Sequence, residues 1–478
     1  MGDRLSRRFA EICAAEPPSD ASILLRRAVV LGGSVAGLFA ARVLSEHAEE
    51  VVVLERDELD PADVSGARPG APQGVQVHAL LQAGSVQLDR WFPGFSTELV
   101  EAGATTGSGD STVTYIDGVR KASPPDVSNL CSSRLFLEGH LRRRVLGLDN
   151  VRAVRGRADG LIITAGKVTG VRHVPVESTG DSAADTGQVL AADFVVDAMG
   201  RSSRLSEWLE QAGWPRPALR RMNVDLNYAT AVFRRGDELP TVNSAVSFQT
   251  PQSTFSRTTA AMVSVEGGRR MIVLAGYADN RPSRDPEEFR RACGEQPREF
   301  AEIAERCEMI GPVLTYRQAD SRRRDFHRLD RLPGGLVAAG DAVSSFNPVY
   351  GQGMTSGALH ASCLSEYLRS GASPTAPAHR YFDDVRVVVD AAWQTSTLAD
   401  LGLPHVTGPY PRGYRIMTWL SGLVANASLT DADINHRLTQ VTNMLVHPNA
   451  LATPGVLLRS VRALRGQARN GSAATAAD

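Results

Sequence analysis

Apolar residues fall along this chain in short blocks, each closed by a glycine-rich turn or followed by a stretch of helical spacing. Residues 27–31 (RAVVL) form one block, and GGSVAG follows at once at 32–37. LFAARVLSEHA (38–48) then places small and apolar residues on one helical face. VVVL (51–54) is a second buried block that ends at Glu55 and Arg56. Strand, glycine turn, helix and strand within about thirty residues predict a βαβ unit.

The rest of the chain reads as follows. Residues 1–26 carry a short helix and a Pro/Ser/Asp linker. A Pro- and Gly-rich stretch, 61–78, ends at His78, and a helix is expected over 79–91. Residues 103–129 are irregular and strand-like. Within them Gly107, Ser108 and Gly109 have no preceding strand and no third glycine, which reads as a plain turn. A basic amphipathic helix is predicted over 131–146. Short β-branched strands alternate with polar turns over 150–196, with 177–187 (ESTGDSAADTG) as a hairpin tip. The strand 193–196 runs into DAMGR. From 216 to 330 the texture changes to alternating strands such as NYATAVF and RMIVLAGYA, with one helix near 286–306, which predicts an inserted antiparallel sheet. A buried strand at 335–339 leads into Gly340 and Asp341. The last ~80 residues read as helical, with a disordered tail after 466. No internal repeat is visible.

Composition narrows the class of protein. The 478 residues are 42% hydrophobic and 22% charged, with a formal charge of −1. Such a chain builds a sizeable core and presents no bulk basic field, so nucleic acid is not an expected partner. Lys121 and Lys167 are the two lysines among 52 basic residues, a bias attributable to a GC-rich genome. Cys13, Cys131, Cys293, Cys307 and Cys363 are scattered and odd in number, without C-x-x-C. That pattern fits neither a zinc site nor a disulfide framework, and a reducing cytoplasm is the expected location. Arg7 and Arg8 hint at twin-arginine export, but no apolar segment follows them. No stretch approaches ~18 uninterrupted apolar residues, so no transmembrane segment is expected.

Two motifs carry chemistry. A diphosphate needs a tight turn and bare amides at the positive end of a helix. Gly32 would make the turn, and Gly33, Ser34 and Ala36 would line it. Gly37 would let helix and strand approach, and Ser34 stands where a middle glycine is usual. Glu55, eighteen residues beyond Gly37, is placed to accept both ribose hydroxyls of an adenosine. A βαβ unit without ligand is the alternative, and FAD and NAD both remain open on this motif. The second, GDAVSSFNPVYGQGM (340–354), favours FAD. An acid after a buried strand can hold a polyol chain. A Pro/Gly turn then opens a helix whose amides, from Gly351 to Met354, can face an electron-rich ring. An N-capping Asp in a plain strand–turn–helix is the alternative there.

Together GGSVAGL, VVVLER, VVDAMGRSS and GDAVSSFNPVYGQGM resemble the class A flavoprotein monooxygenases, which share the 4-hydroxybenzoate hydroxylase fold. The resemblance spans roughly 27–400 and is specific in GD-x6-P-x2-G-x-G. FNPVYGQGM, RPGAPQGVQVHALLQAG and the helical C-terminal extension are most similar to the polyether epoxidases of lasalocid and monensin biosynthesis. The resemblance implies an α/β fold: a Rossmann-like FAD-binding domain (27–103, 131–215 and 331–395) and an inserted antiparallel-sheet substrate domain (104–130 and 216–330). The N-terminal extension (1–26) and the C-terminal helical region (396–478) complete the chain. It implies FAD, O2 and NAD(P)H, the last acting directly or through a separate flavin reductase, with oxygen delivered from a flavin C4a-hydroperoxide.

By the same resemblance Pro348, Gly351, Gln352 and Gly353 are the catalytic segment, with Pro348 beside the flavin edge. Gly32, Gly33, Ser34, Ala36, Gly37, Glu55, Arg56, Arg134, Gly340, Asp341, Gly353 and Met354 bind the cofactor, Asp341 on the ribityl chain. His78 matches one histidine of an H-x-H pair whose other position is Gln76. DAMG at 197–200 replaces the more usual GADG, a form shared with epoxidase-like and geranylgeranyl-reductase-like relatives. Arg201 and Arg204 read equally as diphosphate-facing or solvated, and Arg322, Arg323 and Arg324 as a solvated face.

Tyr228, Phe346, Asn347 and Tyr350 are the expected pocket lining, each with simple packing as the alternative. His360, His379 and His405 have no metal-ligand spacing, and no metal is expected. No G-x-S-x-G elbow supports a hydrolase, and no W-x-W-x-I-P supports a tryptophan halogenase. The helix after Pro454 is basic and amphipathic, expected to pack on the body rather than a membrane. The expected function is oxygen insertion into a lipophilic small molecule in secondary metabolism, with alkene epoxidation leading. Epoxidation needs no side-chain base, whereas phenol hydroxylation usually wants the ring ionised, hence a base or positive partner nearby, and no such base is identifiable. The alternatives are an aromatic hydroxylase, a geranylgeranyl-reductase-like flavin reductase and a non-catalytic flavin-binding protein.

Overall fold

The structure is a computed structural model that describes residues 2–474, apart from Ser65, Ala79, 122–127, 177–186, Asp237, Leu239 and Pro240, with side chains from Arg4 to Gly466. Its core is a seven-stranded sheet in the order Leu336–Ala338, Phe194–Asp197, Leu25–Leu31, Ala48–Glu55, Val151–Thr164, Lys167–Pro175, Gln188–Ala191. The first five strands are parallel, with Val30 opposite both Val53 and Val196. The last two turn antiparallel. Val29, Val30, Val52, Val53, Val195 and Val196 are fully buried, because helices cover both faces of a parallel sheet and leave its strands continuously apolar.

The eight-stranded second sheet runs Ser344–Ser345, Met309–Arg324, Leu219–Arg234, Arg269–Tyr277, Thr259–Val265, Ser244–Phe248, Thr112–Ile116, Val119–Arg120. This is the α/β class expected, with one difference: Ser244–Phe248 pairs in parallel with Thr112–Ile116. Period-2 alternation gives the sheet two lives. Ala229, Ala231 and Phe233 face a core capped by Phe289, Phe300 and Ile303. Leu226 and Tyr228 face the other way, toward Val349, Leu401 and Val406.

Several local expectations need correction. The 286–306 helix is two, Pro286–Gly294 and Arg298–Arg306, because Pro297 cannot continue the first. The helix expected from 131 begins at Arg134, N-capped by Ser133, while Cys131 ends a strand. A strand, Thr105–Ser108, does precede Gly109. The hairpin tip expected over 177–187 lies, except for Gly187, outside the described residues. The final helix, Pro454–Ala474, continues past 466 rather than fraying there. The His379–Asp400 helix runs unbroken through position 395.

The run Arg322, Arg323, Arg324 is not a solvated face. Arg323 Nε donates to Asp325 at 2.7 Å and its Nη1 lies 2.6 Å from Asp390. Arg324 Nη1 donates to the Ala342 carbonyl at 2.9 Å, and both arginines are buried. An Asp325→Ala chain would leave Arg323 buried without its main partner. We expect a loss of about 3 kcal/mol in urea unfolding, the usual consequence of breaking a buried ion pair from one side.

Candidate active site

The glycine turn closes as its sequence demands. Gly32 has φ +102°, and a Cβ there would lie 2.6 Å from the Ala198 carbonyl oxygen. A Cβ on Gly37 would lie 1.9 Å from the Gly32 carbonyl oxygen. Ser34 takes extended backbone at the N-terminus of the Val35–Leu44 helix without capping it. The first-turn amides therefore have no partner within the helix. Glu55 sits beneath the turn. Its carboxylate accepts the amides of Gly33 (2.7 Å), Arg56 (2.9 Å) and Asp57 (3.2 Å). Arg56 contributes that amide, while its side chain is exposed.

The second motif folds directly against the first. Gly340 has φ +58°, and a Cβ on it would lie 2.6 Å from Ala36 Cβ; one on Gly357 would lie 3.0 Å from the same atom. The Gly340 amide donates to His360 Nδ1 at 2.9 Å. The buried ring is therefore neutral with its proton on Nε2, facing Ser356, and burial pushes its pKa down to about 3. His360 thus positions the turn that presents Asp341. Burial raises the Asp341 pKa, against the pull of Arg201 and Arg134. Gly353 lies alongside, its Cβ position 3.8 Å from Asp341 Oδ1. Gly351, φ +67°, opens the Gln352–Arg369 helix without a side-chain cap, and Met354 is buried in its first turn.

Arg134 reaches the same region from the Arg134–Leu146 helix. Its Nη1 donates to His78 Nε2 at 3.0 Å, and His78 Nδ1 donates to the Gln76 carbonyl at 2.9 Å. Burial and the Arg134 charge push the His78 pKa down to about 3, so this ring is also neutral. Gln76, in the second position of the pair, turns away to Thr230 on the second sheet.

Sequence reading missed Arg68 and Glu138. Arg68 Nη2 donates to Ser34 Oγ at 2.8 Å and pairs with Glu138, and its Nη1 stands 3.6 Å from Glu55 and 3.5 Å from Asp57. Although burial opposes its charge, Glu138 and Glu55 raise its pKa. Arg68 opens the segment RPGAPQGVQVHALLQAG, the one signal that could have pointed to it, and Glu138 belongs to no motif; only folding brings both to the glycine turn. Arg201 instead ties the two sheets together through Asp320 and Ser345. Arg204 is half-exposed near Asp159. Asp197 is fully buried and closes its own turn, accepting from Met199 N and Ser203 Oγ, with its pKa raised to about 6 by burial.

The Pro348 segment faces the second sheet. Asn347 Oδ1 accepts from Val349 N at 3.2 Å, and Asn347 Nδ2 donates to Tyr277 Oη (3.0 Å) and Asp400 Oδ1 (2.7 Å). Tyr350 Oη donates to the same Asp400 oxygen at 3.0 Å. Burial lifts the Asp400 pKa to about 7, despite these two bonds. Tyr228 stacks on Tyr316 at 5.9 Å, and its buried hydroxyl has no hydrogen-bond partner among the described residues. Tyr228 packs in one apolar cluster with Val349, Leu401 and Val406, while Asn347 and Tyr350 meet at Asp400. Phe346 does not join them. Its ring meets Trp393 at 6.4 Å and its carbonyl accepts from Gln318. Gln352 points to Thr395 at 2.8 Å, leaving its Oε1 buried without a partner among the described residues. No group of three or more potential metal ligands occurs among the described residues.

Two glycine turns that a Cβ would fill, a carboxylate under one and another under the second, and two uncapped helix N-termini fit an adenine dinucleotide carrying a flavin. Gly32, Gly33, Ser34, Ala36, Gly37 and Glu55 would hold the adenosine diphosphate half. Gly340, Asp341 and the Gly351–Met354 amides would hold the flavin half.

The family model described as an FAD binding domain matches residues 166–381. Protein Rv3254 of Mycobacterium tuberculosis (strain ATCC 25618 / H37Rv) is 32% identical over 419 residues, 84% of this chain and 86% of its own. Among solved structures, the flavin-dependent brominase Bmp2 aligns over 93% of this chain and 99% of its own at 14% identity, TM-score 0.63. p-Nitrophenol 4-monooxygenase PnpA from Pseudomonas putida DLL-E4 covers 89% and 100% at 17% identity, TM-score 0.62. PqsL of Pseudomonas aeruginosa, a probable FAD-dependent monooxygenase, covers 87% and 99% at 16% identity, TM-score 0.55. At these identities the three structures share the fold.

Proposed function

The chain belongs to the same family as Protein Rv3254 and carries an FAD binding domain, and from that premise we propose that it is a flavin-dependent monooxygenase that inserts one atom of O2 into a lipophilic small molecule, with alkene epoxidation as the reaction. NAD(P)H supplies the two electrons, directly or through a separate flavin reductase, and the second oxygen atom leaves as water. One observation carries the reading: the Pro348 segment, opening the helix that would face the flavin, closes on an apolar wall of Tyr228, Val349, Leu401 and Val406.

Bound FAD would accept the electrons and activate O2; the chain's own residues bind, orient and exclude water. Amides at Gly351 to Met354 would meet negative charge on the reduced ring. The apolar wall would keep bulk water from the reacting centre. The substrate's double bond would lie against Pro348, with the unpartnered Tyr228 hydroxyl available to one polar group of the substrate. The neutral His78 and His360 serve as fixed hydrogen-bond partners, to Arg134 and to the Gly340 amide.

A second reading, phenol hydroxylation, is favoured by Asp400. A buried carboxyl with a pKa of about 7, bonded to Tyr350 and Asn347, is the base that such a reaction needs and an epoxidation does not. Polyenes and phenols screened against purified holoprotein with NAD(P)H and a flavin reductase separate the readings. We expect O2 consumption matched by an epoxide, with little H2O2. A hydroxylated ring would establish the second reading. Saturation of the double bond without O2 uptake would overturn both in favour of a reductase.

A further inference from the structure

The helical region after Asp400 carries the two most exposed large apolar side chains among the described residues, Ile416 and Trp419. Helices Tyr414–Ala427, Ala432–Thr442 and Pro454–Ala474 share a small core of Val424, Ala427, Ile434 and Val456. Outside that core, Ile416 is 65% exposed, Trp419 64%, Leu458 59% and Tyr410 56%. Ile416 and Trp419 lie three residues apart and Arg415 and Trp419 four apart, so all three occupy one helix face. On the last helix Leu458, Arg462 and Arg465 share a face by the same spacing.

Charge in this region is one-sided. No acid lies between Asp400 and Asp431, and from 401 to 466 six arginines stand against two aspartates. Those two acids, Asp431 and Asp433, both pair with Arg459. Arg412, Arg415, Arg437, Arg462 and Arg465 are exposed without an acidic partner among the described residues. The chain as a whole carries −1, so this concentration of positive charge is local.

We propose that this face docks on the surface of an anionic phospholipid bilayer. An exposed Trp and Tyr with branched aliphatics, flanked by unpaired arginines, is the composition that settles at the headgroup boundary. The apolar groups enter the acyl edge while the arginine stems lie along them and the guanidinium groups meet lipid phosphate. A second copy fits less well: a two-fold interface through this face would set its unpaired arginines against their own copies. The placement has a consequence for the site. Tyr414, the first residue of the helix that bears Trp419, packs in the same cluster as Tyr228, Val349 and Leu401. A bilayer held by Trp419 would then lie within one helix of the apolar wall, where a lipophilic substrate can pass between them. No described helix is long and apolar enough to cross a membrane, which agrees with docking on one.

Flotation of FAD-loaded full-length protein with vesicles tests this by binding alone, apart from the reaction assigned above. With about 30 mol% phosphatidylglycerol in phosphatidylcholine, we expect protein to float at low ionic strength and to be released as salt rises. Arg412→Ala/Arg415→Ala should weaken partitioning roughly 25-fold, about fivefold per arginine. Ile416→Ser/Trp419→Ser should abolish it while flavin content stays at the wild-type level, because both side chains stand in solvent. Protein that stays at the bottom with phosphatidylglycerol vesicles overturns the proposal, as does equal flotation with pure phosphatidylcholine. A wild-type dimer that Ile416→Ser/Trp419→Ser converts to monomer overturns it in favour of a second copy.

Discussion

A Gly37→Ala chain is expected to purify without FAD. The added methyl group would stand 1.9 Å from the Gly32 carbonyl oxygen, a distance no packed carbon tolerates. Relief requires the helix Val35–Leu44 to lift from the strand Leu25–Leu31, which moves the first-turn amides away from the diphosphate. The neighbouring atom is backbone, so no rotamer change can absorb the clash. We expect FAD affinity to fall at least about 100-fold, near 3 kcal/mol, read as flavin-to-protein ratio after purification and by fluorescence titration. Ser34→Ala is the control. It removes a hydroxyl held by Arg68 but leaves the turn intact, so flavin should be retained. Stoichiometric FAD in Gly37→Ala would place the diphosphate elsewhere.

Asp400→Asn should change stability and chemistry in opposite senses. The folded chain holds a proton on Asp400 until about pH 7, whereas the unfolded chain releases it near pH 4. Over that interval the native state binds the extra proton, so wild-type stability falls as pH rises, by about 4 kcal/mol at most. Asn keeps an oxygen to accept from Asn347 and Tyr350 and does not titrate. The variant should therefore match wild type near pH 4 and exceed it at pH 8, in urea unfolding at the two pH values. In turnover, the variant should oxidise alkenes within a few-fold of wild type. Phenol turnover, where it occurs, should drop about 100-fold or more and lose its limb near pH 7. Unchanged phenol turnover would remove Asp400 from the chemistry and leave it a positioning residue for Asn347 and Tyr350.

The two glycine motifs were legible in the chain because their constraints are local. Gly32 and Gly340 need positive φ, Gly37 needs to lack a Cβ, and each sits at the end of an apolar run that only a buried strand explains. The arginine run 322–324 was misread because burial of a charge is decided by what the fold brings to it, here Asp325, Asp390 and the Ala342 carbonyl. Asp400 carried no signal at all. It ends an unremarkable helix, fifty residues beyond Tyr350, and becomes a raised-pKa carboxyl only because the fold buries it, against the pull of its hydrogen bonds from Asn347 and Tyr350. Glu138 is a similar case, drawn to Ser34 from a helix without a motif, and Arg68, though it opens RPGAPQGVQVHALLQAG, gains its partners Ser34 and Glu138 only in the fold.

By itself, then, the order of residues determined the parallel sheet, the two glycine turns and the class of fold, since each follows from periodicity and from backbone angles open to few residue types. Tertiary structure decided which distant segments share a wall. It set Ala36 against Gly340 and Gly357, turned Tyr228 toward Val349 and Leu401, and gave Asp400 its neighbours. It also left Trp419 and Ile416 in solvent beside unpaired arginines. These outcomes depend on contacts between residues tens to hundreds of positions apart, whose desolvation and charge environment exist only once the chain has packed.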